Sequence, residues 1–192
     1  MNCTFSTADG LQLAYYVDDF TDPWRKPDTV LLRPEASEVF VEPKRAYKSF
    51  HYRAKTTWSS ARRGMLSAMG RPNIVVGSPP EFKGEPDIWA PEELLVGALN
   101  TCMMLTFLTL AQARGLTPVG FESDAEGLLE NVEGQYHIAE VTVRPRVTLK
   151  SEAELEPARK TMESVEANCF IATSINARVT LTPEFVVAPP PK

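Results

Sequence analysis

Between Pro91 and Gly115 the chain reads PEELLVGALNTCMMLTFLTLAQARG, and no other stretch restricts the fold as strongly. It is apolar on nearly every side. Pro91 suits a first helical turn, Glu92 and Glu93 sit where a helix dipole is positive, and Gly115 is a natural stop. The predicted helix is about long enough to cross a bilayer. Glu92, Glu93, Asn100, Thr101 and Thr106 argue instead for a soluble helix buried around most of its circumference. Other elements must then cover it, and Cys102 stands at its middle.

Those covering elements are legible on both sides. In SFHYRAKTTW, alternation puts Phe50, Tyr52, Ala54, Thr56 and Trp58 on one face, which predicts a strand. GMLSAM and NIVVG follow as short strands around the turn Gly70-Arg71-Pro72, and the proline-rich SPPEFKGEPDIWAP leads into the helix. After it, PVGFESDAEGLL and YHIAEVTVRPRVTLK alternate like two strands joined near Asn131 to Gly134. SEAELEPARKTMESVEANC opens with Ser151 and Glu154 at capping-box spacing and lines Leu155, Ala158, Met162 and Val165 on one stripe, predicting an amphipathic helix. A second helical piece is expected to begin at Cys169, then ARVTLTPEFVV as a strand and a disordered tail over 188–192.

Strands grouped around separate helices, with hairpin-length links, indicate an α+β domain with a mostly antiparallel sheet over 48–187. Residues 1–47 differ, with prolines and charges at turn-like intervals. Within them, ADGLQLAYYVDDFTDPWRKPDTVLL resembles the first hairpin and next strand of an α/β-hydrolase. No G-x-S-x-G elbow follows anywhere, so this segment is expected to be an appendage without hydrolase chemistry.

A chain of 192 residues holds one ordinary domain plus such an extension. Its net charge of −5, with no stripe of Lys and Arg, makes nucleic acid an unexpected partner. The opening MNCTFSTADG lacks the basic and apolar regions of a secretory signal, so a cytoplasmic location is expected, with no membrane partner. Cys3, Cys102 and Cys169 then lie in a reducing compartment, and without a C-x-x-C they form neither a disulfide framework nor a structural zinc site. His51 and His137 offer little for a histidine metal site or a Ser-His-Asp triad, and no metal or cofactor is expected.

PEELLVGALNTC followed by ANCFIATSINARVTL resembles the OsmC/Ohr family, which holds the osmotically inducible protein C and the organic hydroperoxide resistance proteins. The resemblance covers roughly residues 50 to 187. It implies an OsmC-like α+β fold, a long buried central helix and an intertwined homodimer. It also implies a thiol peroxidase of alkyl and fatty-acid hydroperoxides that uses no cofactor. Carried over, the peroxidatic cysteine is Cys102, the resolving cysteine Cys169 and the supporting glutamate Glu92. The arginine of the family's R-G pair is Arg63, ahead of Gly64, with Arg62 as its competitor. A lipoyl-type dithiol is the implied reductant. Phe170 replaces the proline that commonly follows the second cysteine in peroxidase subgroups. The alternative reading is a non-catalytic OsmC-like protein that binds a small apolar ligand.

The chemistry requires these residue types. A cysteine attacks peroxide as thiolate, so a positive neighbour must lower its pKa from about 8.5. An arginine does so while keeping its own proton, and a glutamate can hold its fork in place. The resulting sulfenic acid condenses with a second thiol before it over-oxidises. An apolar wall for an organic hydroperoxide is expected from Phe82, Ile88, Trp89, Met103 and Phe170. Blander roles exist too: Cys102 as a core residue, and Glu92 or equally Glu93 as a first-turn acid. In an unbroken helix Glu92 and Cys102 stand about 15 Å apart along the axis and about 80° around it. Either the helix breaks near Gly97, or the glutamate serving Cys102 comes from a second chain, the favoured expectation.

Overall fold

The structure, a computed structural model, describes residues 2–6, 12–16 and 48–189. The chain divides into two compact units, Met1–Lys48 and Ser49–Lys192. In the first, strands β1 (Asn2–Ser6) and β2 (Gln12–Tyr16) pair antiparallel, with Asn2 opposite Tyr16 and Ser6 opposite Gln12. The remaining hydrolase-like positions and the last three residues of the expected tail lie outside the described residues.

The second unit opens with three antiparallel strands, β3 (Lys55–Ser60), β4 (Arg63–Ser67) and β5 (Ile74–Gly77). The first strand begins at Lys55 rather than Ser49. Residues 49–54 are exposed and pair with no strand among the described residues, so alternation alone does not make them a ladder. Gly70, at φ +70°, turns β4 into β5.

Helix α1 (Pro91–Ala113) follows, then the long hairpin β6 (Gly120–Val132) and β7 (Gln135–Leu149). Glu133 and Gly134 both adopt positive φ, as a two-residue hairpin turn demands, and Asn131 Oδ1 accepts the Gly134 N–H at 3.0 Å. α1 buries every fourth residue, Leu99, Met103, Phe107 and Ala111, against Val141, Val143, Val147 and Leu149 of β7. Phe107 lies 5.7 Å from Phe121 of β6, centroid to centroid. Each such large side chain removed from water contributes about 1.5–3 kcal/mol.

The amphipathic stripe of α2 (Leu155–Met162) and α3 (Val165–Asn168) closes this core with Ala158, Met162 and Val165. Three details depart from expectation. Ser151 makes no capping bond; Glu154 instead accepts the Lys150 N–H at 2.9 Å, and a 3-10 turn at Glu152–Glu154 precedes α2. The helix splits at Glu163-Ser164, where Thr161 Oγ1 donates to the Pro157 carbonyl and Ser164 Oγ to that of Lys160, competing for helix acceptors. The piece expected from Cys169 starts later, as a 3-10 turn at Ala172–Ser174, with Cys169 itself extended.

The closing strand is also two strands, β8 (Arg178–Leu181) and β9 (Glu184–Val187), because Pro183 between them lacks a ladder N–H. Both run parallel to β7, so the antiparallel hairpin carries a parallel margin. Glu140 and Arg178 face each other in that register and form an ion pair; the Arg178 and Thr180 donors hold the Glu140 carboxyl below its ordinary range.

Candidate functional site

α1 is continuous from Pro91 to Ala113, which removes the possibility of a break near Gly97. Cys102 lies at its middle, half-buried on the flank of the core stripe. Cys169 ends α3 and is fully buried in the same core. Because α3 packs on α1, Cys102 and Cys169 come together at the same core although many residues separate them in sequence. The turn after Cys169 fixes its position. Ala172 donates its N–H to Cys169 Sγ at 3.5 Å, Thr173 donates its N–H to the Cys169 carbonyl at 3.0 Å, and Ser174 Oγ donates to the Phe170 carbonyl at 2.6 Å. Burial first, then the neighbouring Cys102 thiol, pushes the Cys169 thiol up to about 11 from an ordinary 9.0.

The two first-turn acids separate by role. Glu93 accepts the Ala90 N–H at 2.8 Å and so takes the capping duty. Glu92 is half-buried, and its Oε2 is buried without a hydrogen-bond partner among the described residues. Arg63 Nη1 donates to Glu85 Oε2 at 2.8 Å, and Arg62 Nη1 donates to the Phe82 carbonyl at 2.7 Å. Neither arginine pairs with Glu92 within this chain among the described residues. The structure thus joins Cys102 to Cys169 and leaves Glu92 apart from Arg63.

The expected apolar wall is distributed. Phe82 meets Tyr136 of β7 edge-on at 5.6 Å, and the Ile88 side chain fills the space over Gly77 that a Cβ there would need. Trp89 is half exposed, its carbonyl accepting the Gly77 N–H at 3.0 Å. Met103 belongs to the buried core stripe, whereas Phe170, beside Cys169, is 82% exposed. Two participants carry no local sequence signal: Glu85, which reaches Arg63 across the loop, and Tyr136, brought to Phe82 by the hairpin.

The profile of the OsmC-like proteins matches residues 84–184, from the loop before α1 into β9. The chain belongs to the OsmC-like protein family. YmaD of Bacillus subtilis (strain 168), an uncharacterized protein, is 26% identical over 136 residues, 68% of this chain and 90% of its own. Among solved structures, an OsmC-like protein of unknown function from Vibrio cholerae is 25% identical at a TM-score of 0.65, covering 70% of this chain and 99% of its own. An organic hydroperoxide resistance protein from Elizabethkingia anophelis shares the fold at a TM-score of 0.58 and 15% identity, covering 73% of this chain and 100% of its own. The α+β architecture with its long helix, expected from the family resemblance, is therefore established.

Proposed function

We propose that this OsmC-like protein is a cysteine-based peroxidase of organic hydroperoxides. The observation that carries the reading is the meeting of Cys102 and Cys169 where α3 packs on α1. Cys102, the half-open member, attacks the peroxide as thiolate: its sulfur takes the distal oxygen, the O–O bond breaks, and the alkoxide picks up a proton from water. Cys169 then attacks the Cys102 sulfenic acid; the S–S bond forms, the S–O bond breaks and water leaves. An external dithiol, of lipoyl type, reduces the disulfide by exchange. Phe82, Ile88, Trp89 and Phe170 offer apolar surface to an alkyl chain, with Met103 supporting from the core.

A second copy of the chain completes the site in this reading. α1 is apolar all round, yet its own chain buries one stripe and leaves Leu105 55% exposed. Strand β3 is exposed along its whole length, with Trp58 73% exposed. Arg53, Lys55, Arg62, Arg63 and Arg71 stand on or beside that sheet, and no acid occurs from Ser49 to Pro80, so it complements the acidic remainder of another copy. The orphaned Glu92 oxygen is explained if an arginine from that copy reaches it. Arg63, with Arg62 as the alternative, is free to do so, because its exposed pair with Glu85 contributes only about 0–1 kcal/mol.

The test is consumption of an organic hydroperoxide with a dithiol reductant by wild type, Cys102→Ser and Cys169→Ser. Loss of turnover in both variants is expected. Undiminished turnover without Cys102 would end this mechanism. No turnover by the wild type with any hydroperoxide, together with tight binding of an apolar ligand, would establish a binding protein instead.

A further inference from the structure

Cys169 faces inward between two residues that do not. Its side chain is fully buried, whereas Asn168 is exposed and Phe170 is 82% exposed. Regular helix does little to hold it there: α3 has four residues, the 3-10 turn after it has three, and Cys169 between them is extended, at φ −83° and ψ 114°. Side chains tie down the backbone that follows. Thr173 Oγ1 lies 3.2 Å from both the Cys169 and the Phe170 carbonyl oxygens and shares its proton between them, and Ser174 Oγ donates to the Phe170 carbonyl at 2.6 Å. The Thr173 N–H adds a bond to the Cys169 carbonyl at 3.0 Å, and the Ala172 N–H approaches Cys169 Sγ at 3.5 Å. Thr173 and Ser174 are exposed, so both hydroxyls choose backbone carbonyls where water competes for them.

We infer that Thr173 and Ser174 are positioning residues whose hydroxyls fix the Cys169 and Phe170 carbonyls and so keep the Cys169 side chain turned toward α1, where it captures oxidised Cys102. This role rests on the peroxidase reading above, which assigns Cys169 the resolving step. The chemistry sets the need for it. The Cys102 sulfenic acid has two fates: the Cys169 thiol attacks it, the S–S bond forms, the S–O bond breaks and water leaves, or a second peroxide adds another oxygen and gives the sulfinic acid. Which fate wins depends on how much of the time Cys169 is held within reach. In extended backbone, successive side chains point to opposite sides, so rotation of this stretch would exchange buried Cys169 for exposed Phe170. Thr173 and Ser174 oppose that exchange through the backbone carbonyls rather than through the reacting sulfurs.

The test mixes reduced full-length protein with one equivalent of cumene hydroperoxide and the sulfenic-acid trap dimedone, and reads each cysteine by peptide mass spectrometry. In the double variant Thr173→Val with Ser174→Ala, the ratio of dimedone-trapped Cys102 to Cys102–Cys169 disulfide is expected to rise about tenfold, the factor at stake in one or two neutral hydrogen bonds. The rate at which Cys102 consumes the peroxide is expected to stay at the parent's value. Thr173→Ser with Ser174→Thr keeps both hydroxyls and should keep the parent's ratio. A second readout needs no peroxide: N-ethylmaleimide should label Cys169 of the reduced Thr173→Val, Ser174→Ala protein at least about threefold faster than in the parent. Circular dichroism confirms the fold of each. An unchanged ratio, unchanged labelling, a hydroxyl-keeping variant as impaired as the hydroxyl-free one, or an equal slowing of peroxide consumption would each overturn the inference. Faster labelling of Cys169 in the hydroxyl-free variant of a protein that forms no disulfide would refute the peroxidase and leave the positioning standing.

Discussion

Replacing Glu92 by leucine separates a single-chain protein from one whose site spans two chains. Within one chain, Oε2 of Glu92 is buried without a partner among the described residues, and its desolvation costs about 1–3 kcal/mol. If that chain were the whole working protein, Glu92→Leu would remove the cost and stabilise the fold, because Glu93 retains the capping bond to Ala90. If an arginine of a second copy pairs with Glu92, the same change strands a buried guanidinium, and breaking such a pair costs about 3–5 kcal/mol. That loss corresponds to roughly a 100-fold or greater weakening of association per pair. Sedimentation across a dilution series, with thermal midpoints at each concentration, reads both quantities. The predicted result is a dimer that falls apart at higher concentration in Glu92→Leu and a midpoint that drops on dilution. A more stable variant with unchanged association would refute the two-chain site.

Two further predictions concern the elements that hold the pair. A Cβ at Gly84 would lie 1.5 Å from the Ser78 carbonyl oxygen, which is backbone and cannot yield, so Gly84→Ala should open the loop into α1 and cost about 3 kcal/mol or more, measured by urea denaturation. For pH, the Cys169 thiol keeps its proton in the fold up to about 11 whereas an unfolded thiol releases it near 9.0. Between those values the unfolded chain binds fewer protons, so stability falls as pH rises, and below that window this group contributes no pH dependence. Cys169→Ala should show a shallower decline over the same interval in parallel denaturation curves.

Much of the fold was written locally. The apolar run from Pro91, the Asn131 to Gly134 turn and the stripe Leu155, Ala158, Met162 and Val165 all state their structure through periodicity or turn chemistry, and each lies where its pattern placed it. The misses share one cause: competition that a local pattern does not encode. SFHYRA alternates like a strand but finds no ladder among the described residues, Glu154 chooses the Lys150 N–H over Ser151, and Pro183 divides a strand whose halves pair parallel to β7. In the site, Cys102 and Cys169 were nameable from their motifs, and their contact depends on α3 packing against α1. The Glu85 partner of Arg63 was not legible, because the loop that joins them carries no periodic signal.

The proposed mechanism requires Cys102 and Cys169 to form one redox unit. The most direct measurement is intact and peptide-level mass spectrometry after one equivalent of an organic hydroperoxide under non-reducing conditions. Loss of two hydrogens and a peptide linking Cys102 to Cys169 are expected in wild type, and one added oxygen on Cys102 in Cys169→Ser. An unmodified pair, or oxidation that falls on Cys169 while Cys102 remains a thiol, would contradict it.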